Sequence, residues 1–134
     1  MRKKVLLFVL LGAIAFVIAV IAFVWNRAPE TVDDKKAIQV SAESITVAYG
    51  GNEQQANAEY LNKVIEVNGK ISELSKNQDG KDVVLLESSD PLSGVQCTMR
   101  ENGGKYIVGN AISIKGFCNG YTTVVLLSDC IVAR

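Results

Sequence analysis

Residues 64–74 read VIEVNGKISEL, and the expected fold of the chain follows from this stretch. Ile65, Val67 and Ile71 alternate with polar residues, which is the two-residue period of a strand that buries one face. Gly69 takes an inward position where a side chain would otherwise stand. A glycine there indicates a sharp bend or a close approach by another strand. The folded part of the chain is therefore expected to contain a long, bent strand.

Further strands are expected after this one. The apolar phase moves to Leu74, which predicts a β-bulge near residues 72–73. Turn signals then separate strands at residues 82–87, 95–99, 111–117 and 122–127, and residues 131–132 continue or end the last of these. Asn119 and Gly120 form a strong hairpin signal. Residues 105–108 are compatible with a single helical turn.

Two short helices are expected before the long strand. Ser41 and Asn52 can act as N-caps, with Gly50 as the stop between the two helices. Tyr49 and Tyr60 lie on their apolar faces and are expected in the core. Two helices, three strands, a break and two strands are the plan of an OB-fold, a small Greek-key barrel. An SH3-like barrel is the alternative, since strand counts do not define topology.

The segment before this domain is apolar. Val5 and Trp25 bound 21 residues without a charge, enough to cross about 30 Å of hydrocarbon. The basic residues 2–4 are expected to stay cytoplasmic, so the rest of the chain would face outward. The alternative is a cleaved signal peptide, with Val20 and Ala22 at the −3 and −1 positions of the cleavage site. We expect an anchor over residues 1–25.

The remaining boundaries follow from composition. Residues 26–40 are polar without clear periodicity and are interpreted as a tether, which leaves residues 41–134 for the folded domain. Residues 1–41 contain six basic and three acidic side chains, whereas residues 42–134 contain eight basic and eleven acidic ones. The domain is therefore acidic, the wrong sign for holding a phosphate backbone.

The sequence lacks the residues that several kinds of catalytic or metal site require. The chain has no histidine, which removes the usual general base and the commonest zinc ligand. The carboxylates around the first turn match no calcium-binding loop and are interpreted as a solvated strand face: Glu66, Glu73, Asp79, Asp82 and Glu87. We expect no catalytic residues, no metal and no cofactor, and the protein is expected not to be an enzyme.

The thiols are the remaining candidate site. Cys97, Cys118 and Cys130 would lie in a compartment where disulfides persist if the domain is exported. Three is an odd number, so at most one internal bridge can form, and the three pairs cannot be ranked from the sequence. Cys97 and Cys118 fall on inward phases of their strands. We interpret the cysteines as structural, either bridged or buried.

The chain also resembles a known family. The matching residues are Tyr60, residues 63–69, Cys97, residues 115–116, residues 118–120 and Cys130. In these the chain is similar to the tRNA-anti-like family of predicted OB-fold envelope proteins, over roughly residues 40–133. It departs from that pattern in the short segment between the third and fourth strands, where a longer helix is common. The resemblance implies the fold and an envelope location but no activity.

The expected architecture is mainly β with short helices: a single N-terminal transmembrane helix followed by a small five-stranded OB-fold-like barrel. The expected function is a non-catalytic binding module, tethered to the inner membrane with its domain outside the cytoplasm. Its partners would be the lipid bilayer and an envelope protein or a glycan. The alternatives are a single-stranded nucleic-acid-binding domain or a small carboxylate- or thiol-based enzyme. Residues 82–99 contain no aromatic residue and no lysine or arginine, which argues against nucleic acid.

Overall fold

The structure is a computed structural model that describes residues 1–27, 31–34 and 36–133. The chain divides into two compact units, Met1–Glu30 and Thr31–Arg134. In the described residues the first unit contains helix α1 (Arg2–Trp25). The described part of the second contains a 3₁₀ turn (Val32–Asp34), helices α2 (Ala42–Gly51) and α3 (Glu53–Tyr60), and strands β1 (Ile38–Ser41), β2 (Val64–Lys76), β3 (Asp82–Glu87), β4 (Gly94–Met99), β5 (Ala111–Tyr121) and β6 (Val125–Val132).

Helix α1 follows the uncharged run predicted from the sequence. It begins three residues before that run, at Arg2, and ends with it, at Trp25. Among the residues that the structure describes, α1 is the one helix that is long and apolar enough to cross a membrane. A signal sequence satisfies the same two criteria.

The second unit is a closed barrel. Strand β2 pairs antiparallel with β3 and β3 with β4, β4 pairs parallel with β6, and β6 pairs antiparallel with β5. Strand β5 then pairs antiparallel with β2, which closes the described part of the chain into a five-stranded mixed barrel. The OB-type fold predicted from the strand order is confirmed. Strand β1 adds to the sheet by pairing parallel with the first half of β2.

The core is the barrel interior, closed by the two short helices. One inward row joins Val84, Cys97 and Leu127 on three neighbouring strands, and each of them is at most 2% exposed. Ser41 caps α2 by accepting a hydrogen bond from the Ser44 amide, as the sequence predicts, and the predicted Asn52 cap of α3 is also present. The helices bury Ile45, Tyr49, Ala56 and Tyr60.

Strand β2 has both of the features predicted for it, a β-bulge and a close approach of another element at Gly69. The pairing register with β3 shifts between Ile71 and Glu73, which is the predicted bulge. A Cβ on Gly69 would lie 2.9 Å from the Cβ of Ala42, so a close approach does require glycine here. The approaching element is the first turn of α2, however, and not another strand.

The predicted Asn119-Gly120 hairpin is wrong. Strand β5 continues through both residues to Tyr121, and the chain reverses at residues 122–124. The Asn-Gly pair instead marks a register shift between Cys118 and Gly120, where Gly120 has a φ of 109°. The side chain of Leu61 packs close to Gly120, so tertiary contact places a bulge where the local signal predicts a turn.

The predicted helical turn at residues 105–108 is also wrong. This loop is non-helical, and Tyr106 packs against the core. Backbone hydrogen bonds join Gly109 and Asn110 to Ile71, and they draw the end of the loop onto β2. Together with a turn bond from the Asn110 amide to the Ile107 carbonyl, these bonds take the place of helical hydrogen bonds.

The sheet also extends into the segment interpreted as a tether. Strand β1 begins at Ile38, and Val32 is fully buried. The alternating run before the Ser41 cap has only three residues, Ile38, Gln39 and Val40. Three residues are too few to show the period of a strand. The boundaries at residues 25 and 40 themselves stay a prediction.

Candidate binding surfaces

The outer surface of strands β3, β4 and β6 carries a row of half-buried, uncharged side chains. Leu85 pairs with Gln96, and Gln96 pairs with Leu126, so the three side chains share one side of the sheet. Thr98 follows Gln96 on the same side of β4. We call Leu85, Gln96, Thr98 and Leu126 the β3–β4 face. It is the surface that OB-folds commonly use for binding polymers.

The charges next to this face are negative. Glu73 of β2 pairs with Leu85, and Glu87 is exposed at the end of β3. Strands β3 and β4, DVVLLE and GVQCTM, contribute no aromatic or basic side chain. The β3–β4 face therefore offers neither stacking platforms nor a positive potential for a nucleic acid.

Three lysines elsewhere in the domain make internal contacts. Lys76 Nζ lies 2.6 Å from Asp82 Oδ1, and this pairing is the main reason that the pKa of Asp82 is lowered. Lys81 and Lys63 donate to the backbone carbonyls of Arg100 and Ala58, respectively, each over 3.3 Å. Lys115 lies opposite Glu66 in the register of β5 with β2. These contacts leave less positive charge for a polyanion to neutralise.

Arg100 joins two distant segments through an ion-pair network. Its Nε and Nη2 atoms donate to the two carboxylate oxygens of Asp129 over 2.7 and 2.8 Å, and its Nη1 donates to Asp33 Oδ2 over 2.7 Å. The hydrogen bonds to Arg100 lower the pKa of both aspartates, and the two carboxylates raise the pKa of Arg100. We call these three residues the Arg100 clasp. It holds the 3₁₀ turn against strand β6.

A groove of about 750 Å³ lies beside the clasp. Its lining includes Arg100, Glu66, Lys115, Tyr106 and Cys130. Charges of both signs face it, and Arg100 is already satisfied by two carboxylates. We call this cavity the end groove. Its mixed charge gives no preference for an anionic or a cationic ligand.

All three cysteines predicted as structural are buried and free. The inward phase predicted for Cys97 and Cys118 is confirmed, since both are 0% exposed, and Cys130 is 1% exposed. A hydrogen bond with Cys130, together with burial, raises the pKa of the Cys97 thiol. The Cys118 Sγ lies 3.4 Å from the Tyr49 hydroxyl oxygen. In the sheet, Cys97 of β4 and Cys118 of β5 are both paired with Leu127 of β6, and Cys130 is paired with Met99.

The carboxylates considered as a site are spread over separate contacts. Asp82 pairs with Lys76, Glu66 faces Lys115, and Glu73 faces Leu85. Among the residues that the structure describes, no group of three or more histidine, cysteine, aspartate or glutamate side chains could hold a metal ion.

Neither the Arg100 clasp nor the packing of Tyr106 against the core is predicted by the sequence. Arg100 lies 67 residues from Asp33 and 29 residues from Asp129. Asp129 has a φ of 51°, in the left-handed region that aspartate tolerates better than most residues. No local spacing signals such contacts, because the closure of the barrel brings these segments together.

The comparison with family models decides where this chain belongs. The tRNA-anti-like model matches residues 1–131. The chain belongs to the tRNA-anti-like family. The match includes helix α1 as well as the barrel, and it confirms the resemblance recognised in the strand residues. No curated protein sequence matches the chain.

A solved structure has the same tRNA-anti-like fold. It is a lipoprotein from Klebsiella pneumoniae subsp. pneumoniae, described as a candidate nucleic acid-binding protein. The two share 15% sequence identity with a TM-score of 0.58, over 80% of this chain and 100% of that chain. At this identity the likeness is one of fold.

Proposed function

We propose that this tRNA-anti-like protein is a non-catalytic binding module of the bacterial cell envelope. Helix α1 is retained as a single-pass anchor in the inner membrane, and the barrel lies outside the cytoplasm. There it binds another envelope protein through the β3–β4 face. The uncharged composition of that face carries the proposal.

The anchor part of the proposal rests on length and charge. Helix α1 has 24 residues, about 36 Å at 1.5 Å per residue, which is enough to cross the hydrocarbon core. Its charged residues are confined to positions 2–4, the end expected to remain cytoplasmic. Trp25 ends the helix, where an interfacial aromatic residue is typical.

The ligand class follows from the surface chemistry of the β3–β4 face. Leu85 and Leu126 flank Gln96, an amide that can both donate and accept hydrogen bonds. Apolar side chains with a few uncharged polar groups are typical of the centre of a protein interface, where charged residues are depleted. Glu73 and Glu87 would lie at its polar rim.

Nucleic acid is the competing ligand, because the Klebsiella lipoprotein of similar fold is described as a candidate nucleic acid-binding protein. Binding of single strands uses aromatic stacking and a basic groove. Strands β3 and β4 provide neither, and four basic residues (Lys63, Lys76, Lys81 and Arg100) are held in internal contacts. We therefore favour a protein partner.

The test is site-specific photo-crosslinking in native membranes. A photoreactive amino acid replaces Gln96 on the β3–β4 face in the full-length chain. The matched control replaces Gln54, an exposed glutamine on α3. We expect one reproducible envelope protein, identified by mass spectrometry, to be captured from position 96 and not from position 54.

Two outcomes would contradict the proposal. Equal capture from both positions, or capture of lipid alone, would rule out the β3–β4 face as the interface. A salt-dependent rise in the anisotropy of a labelled single-stranded oligonucleotide, lost on adding Leu85→Glu, would replace the protein partner by nucleic acid. Protease access to the barrel from the cytoplasmic side would overturn the membrane topology.

A further inference from the structure

Two large apolar side chains stand next to each other on the loop between β4 and β5. Ile107 is 62% exposed and Val108 is 56% exposed. We call these two residues the aliphatic pair. A single exposed apolar residue is common on soluble domains and indicates no function by itself. The position of this pair, its support and the charges around it are what distinguish it.

Contacts on both sides of the aliphatic pair attach the loop to the barrel. Before the pair, Tyr106 packs against the core. After the pair, the Gly109 amide donates to the Ile71 carbonyl over 2.7 Å. A turn also joins the Asn110 amide to the Ile107 carbonyl over 3.1 Å. Because this loop is already ordered, its two outward side chains lose little conformational entropy when they bind.

Two exposed lysines flank the aliphatic pair. Lys105 precedes it by two residues, and Lys70 is next to Ile71, to which the loop is bonded. In the part of the chain that the structure describes, neither lysine forms an ion pair. The acidic residues on the same two segments, Glu73 and Glu101, are farther from the pair along the chain. Charges more than about 10 Å away are largely screened at 0.1 M salt, so the net acidity of the domain permits a local attraction to anions.

The loop belongs to the end of the barrel at which the chain enters the domain. Asp33 accepts a hydrogen bond from Arg100, and Asp33 and Tyr106 both line the end groove. Seven residues separate Trp25 from Asp33 in the sequence, a span of at most about 30 Å when fully extended. If α1 is retained in the membrane, this end of the barrel stays within that distance of the bilayer surface. This step rests on the proposed function.

We propose that this loop docks on the surface of an anionic phospholipid bilayer. The aliphatic pair enters the boundary between headgroups and acyl chains, and Lys70 and Lys105 lie over the anionic headgroups. The barrel then has a second contact with the membrane besides α1. The contact does not involve the β3–β4 face, which remains available to a protein partner.

The test uses the purified full-length protein in vesicles made of equal parts of phosphatidylcholine and phosphatidylglycerol. A trace of phosphatidylcholine with a diazirine in its acyl chain is included, and irradiation attaches it to residues that reach the acyl region. Trypsin then releases residues 106–115 as one peptide, because Lys105 and Lys115 precede and end it. We expect mass spectrometry to find lipid adducts on residues 5–25 and on residues 106–115.

Leu92 provides a control within the same chain. It is 85% exposed, more than either residue of the aliphatic pair. It lies in the turn between β3 and β4, whose charged residue is the acidic Asp90. Its tryptic peptide, residues 82–100, should carry no lipid, so exposure alone does not account for labelling of the loop.

Variants separate the apolar contribution from the charge. Ile107→Ser combined with Val108→Ser should lower the label on residues 106–115 at least about tenfold, because the apolar surface that enters the lipid is removed. Both side chains are exposed, so the fold does not depend on them. Lys105→Gln should lower the label by up to about fivefold, and Glu101→Gln should raise it. Vesicles of phosphatidylcholine alone should also lower it, with the label on residues 5–25 unchanged.

Four results would overturn the proposal. They are label on residues 5–25 without label on residues 106–115, equal label on residues 82–100, label on the loop that does not depend on anionic lipid, and capture of a protein instead of lipid by a photoreactive amino acid at position 107 in native membranes. The last result would assign the loop to a protein partner or to a second copy of the chain. Failure of the anchor is seen separately: a chain isolated from cells without α1, identified by its mass, would contradict the proposed function and not the labelling in vesicles.

Discussion

Replacing Gly116 by alanine tests how tightly the barrel is packed. The new Cβ would lie 2.5 Å from Cys130 Sγ and 3.1 Å from the Ser128 carbonyl oxygen. Non-bonded heavy atoms are ordinarily about 3.5–4.0 Å apart, so the sulfur or the strands must move by about 1 Å. Overpacking of this kind costs about 1–3 kcal/mol in a well-packed core.

A smaller term opposes this cost. The φ of Gly116 lies outside the left-handed region, so alanine can adopt its backbone conformation. Alanine also restricts the unfolded chain, which stabilises by about 0.4–1 kcal/mol. The expected net loss in free energy of unfolding is between about 0 and about 2.6 kcal/mol, with a central value of about 1.3 kcal/mol. In a domain of about 100 residues, each kcal/mol lowers the Tm by about 4–8 °C.

The assay is urea unfolding of the full-length chain in detergent micelles under reducing conditions. Tyrosine near-ultraviolet circular dichroism follows the barrel, because Tyr49, Tyr60 and Tyr121 are packed together in it, whereas Trp25 belongs to helix α1. The control is Gly51→Ala at the end of α2, where an added Cβ meets nothing within 4 Å. This control is expected to be neutral or slightly stabilising.

A double-mutant cycle identifies the cause of the loss. Cys130→Ala removes the sulfur that the new Cβ would meet, so Gly116→Ala should cost at least about 1 kcal/mol less in that background. Equal costs in both backgrounds would refute the reasoning, because the strain would then arise from a contact other than the Cys130 thiol.

Three further perturbations test contacts elsewhere in the domain. Ser41→Ala removes the cap of α2 and should lower the free energy of unfolding in urea by about 1 kcal/mol; no loss would mean that the cap is dispensable. Tyr49→Phe keeps the ring but loses its contact with Cys118, at a cost of about 0.5–1.5 kcal/mol, and a larger loss would indicate altered ring packing. Arg100→Met tests the clasp when the free energy of unfolding is measured at a series of acidic pH values. Because Arg100 lowers the pKa of Asp129 below 3.8, this pair stabilises the fold above that pH, and the contribution disappears as the pH falls through the lower folded value. Near neutral pH the variant should lose less than about 1 kcal/mol of free energy of unfolding. Below the pKa of free aspartate, its free energy of unfolding should fall less steeply with pH than that of the wild type. Equal slopes for the two proteins would contradict the link between Arg100 and the pKa of Asp129.

Local patterns predicted those elements whose causes are local. The period of residues 64–74 indicated strand β2, and the change of phase after Ile71 indicated its bulge. Ser41 and Asn52 marked both helix starts, because a cap needs only its own side chain and an amide three residues later. Asn119-Gly120 failed for the opposite reason. Long-range strand pairing carries β5 through these two residues, and packing overrides the local turn preference.

The sequence by itself determined an apolar N-terminal helix, a mainly β domain of OB type, and a surface on strands β3 and β4 without aromatic or basic side chains. These properties depend on composition and short-range periodicity, and both can be read directly from the sequence. Only the tertiary structure decided that the Cys118 thiol contacts Tyr49, that Arg100 joins Asp33 to Asp129, and that residues 38–41 add a strand. Each of these contacts joins residues from 27 to 69 positions apart. Their geometry depends on barrel closure and strand register, which no local spacing encodes.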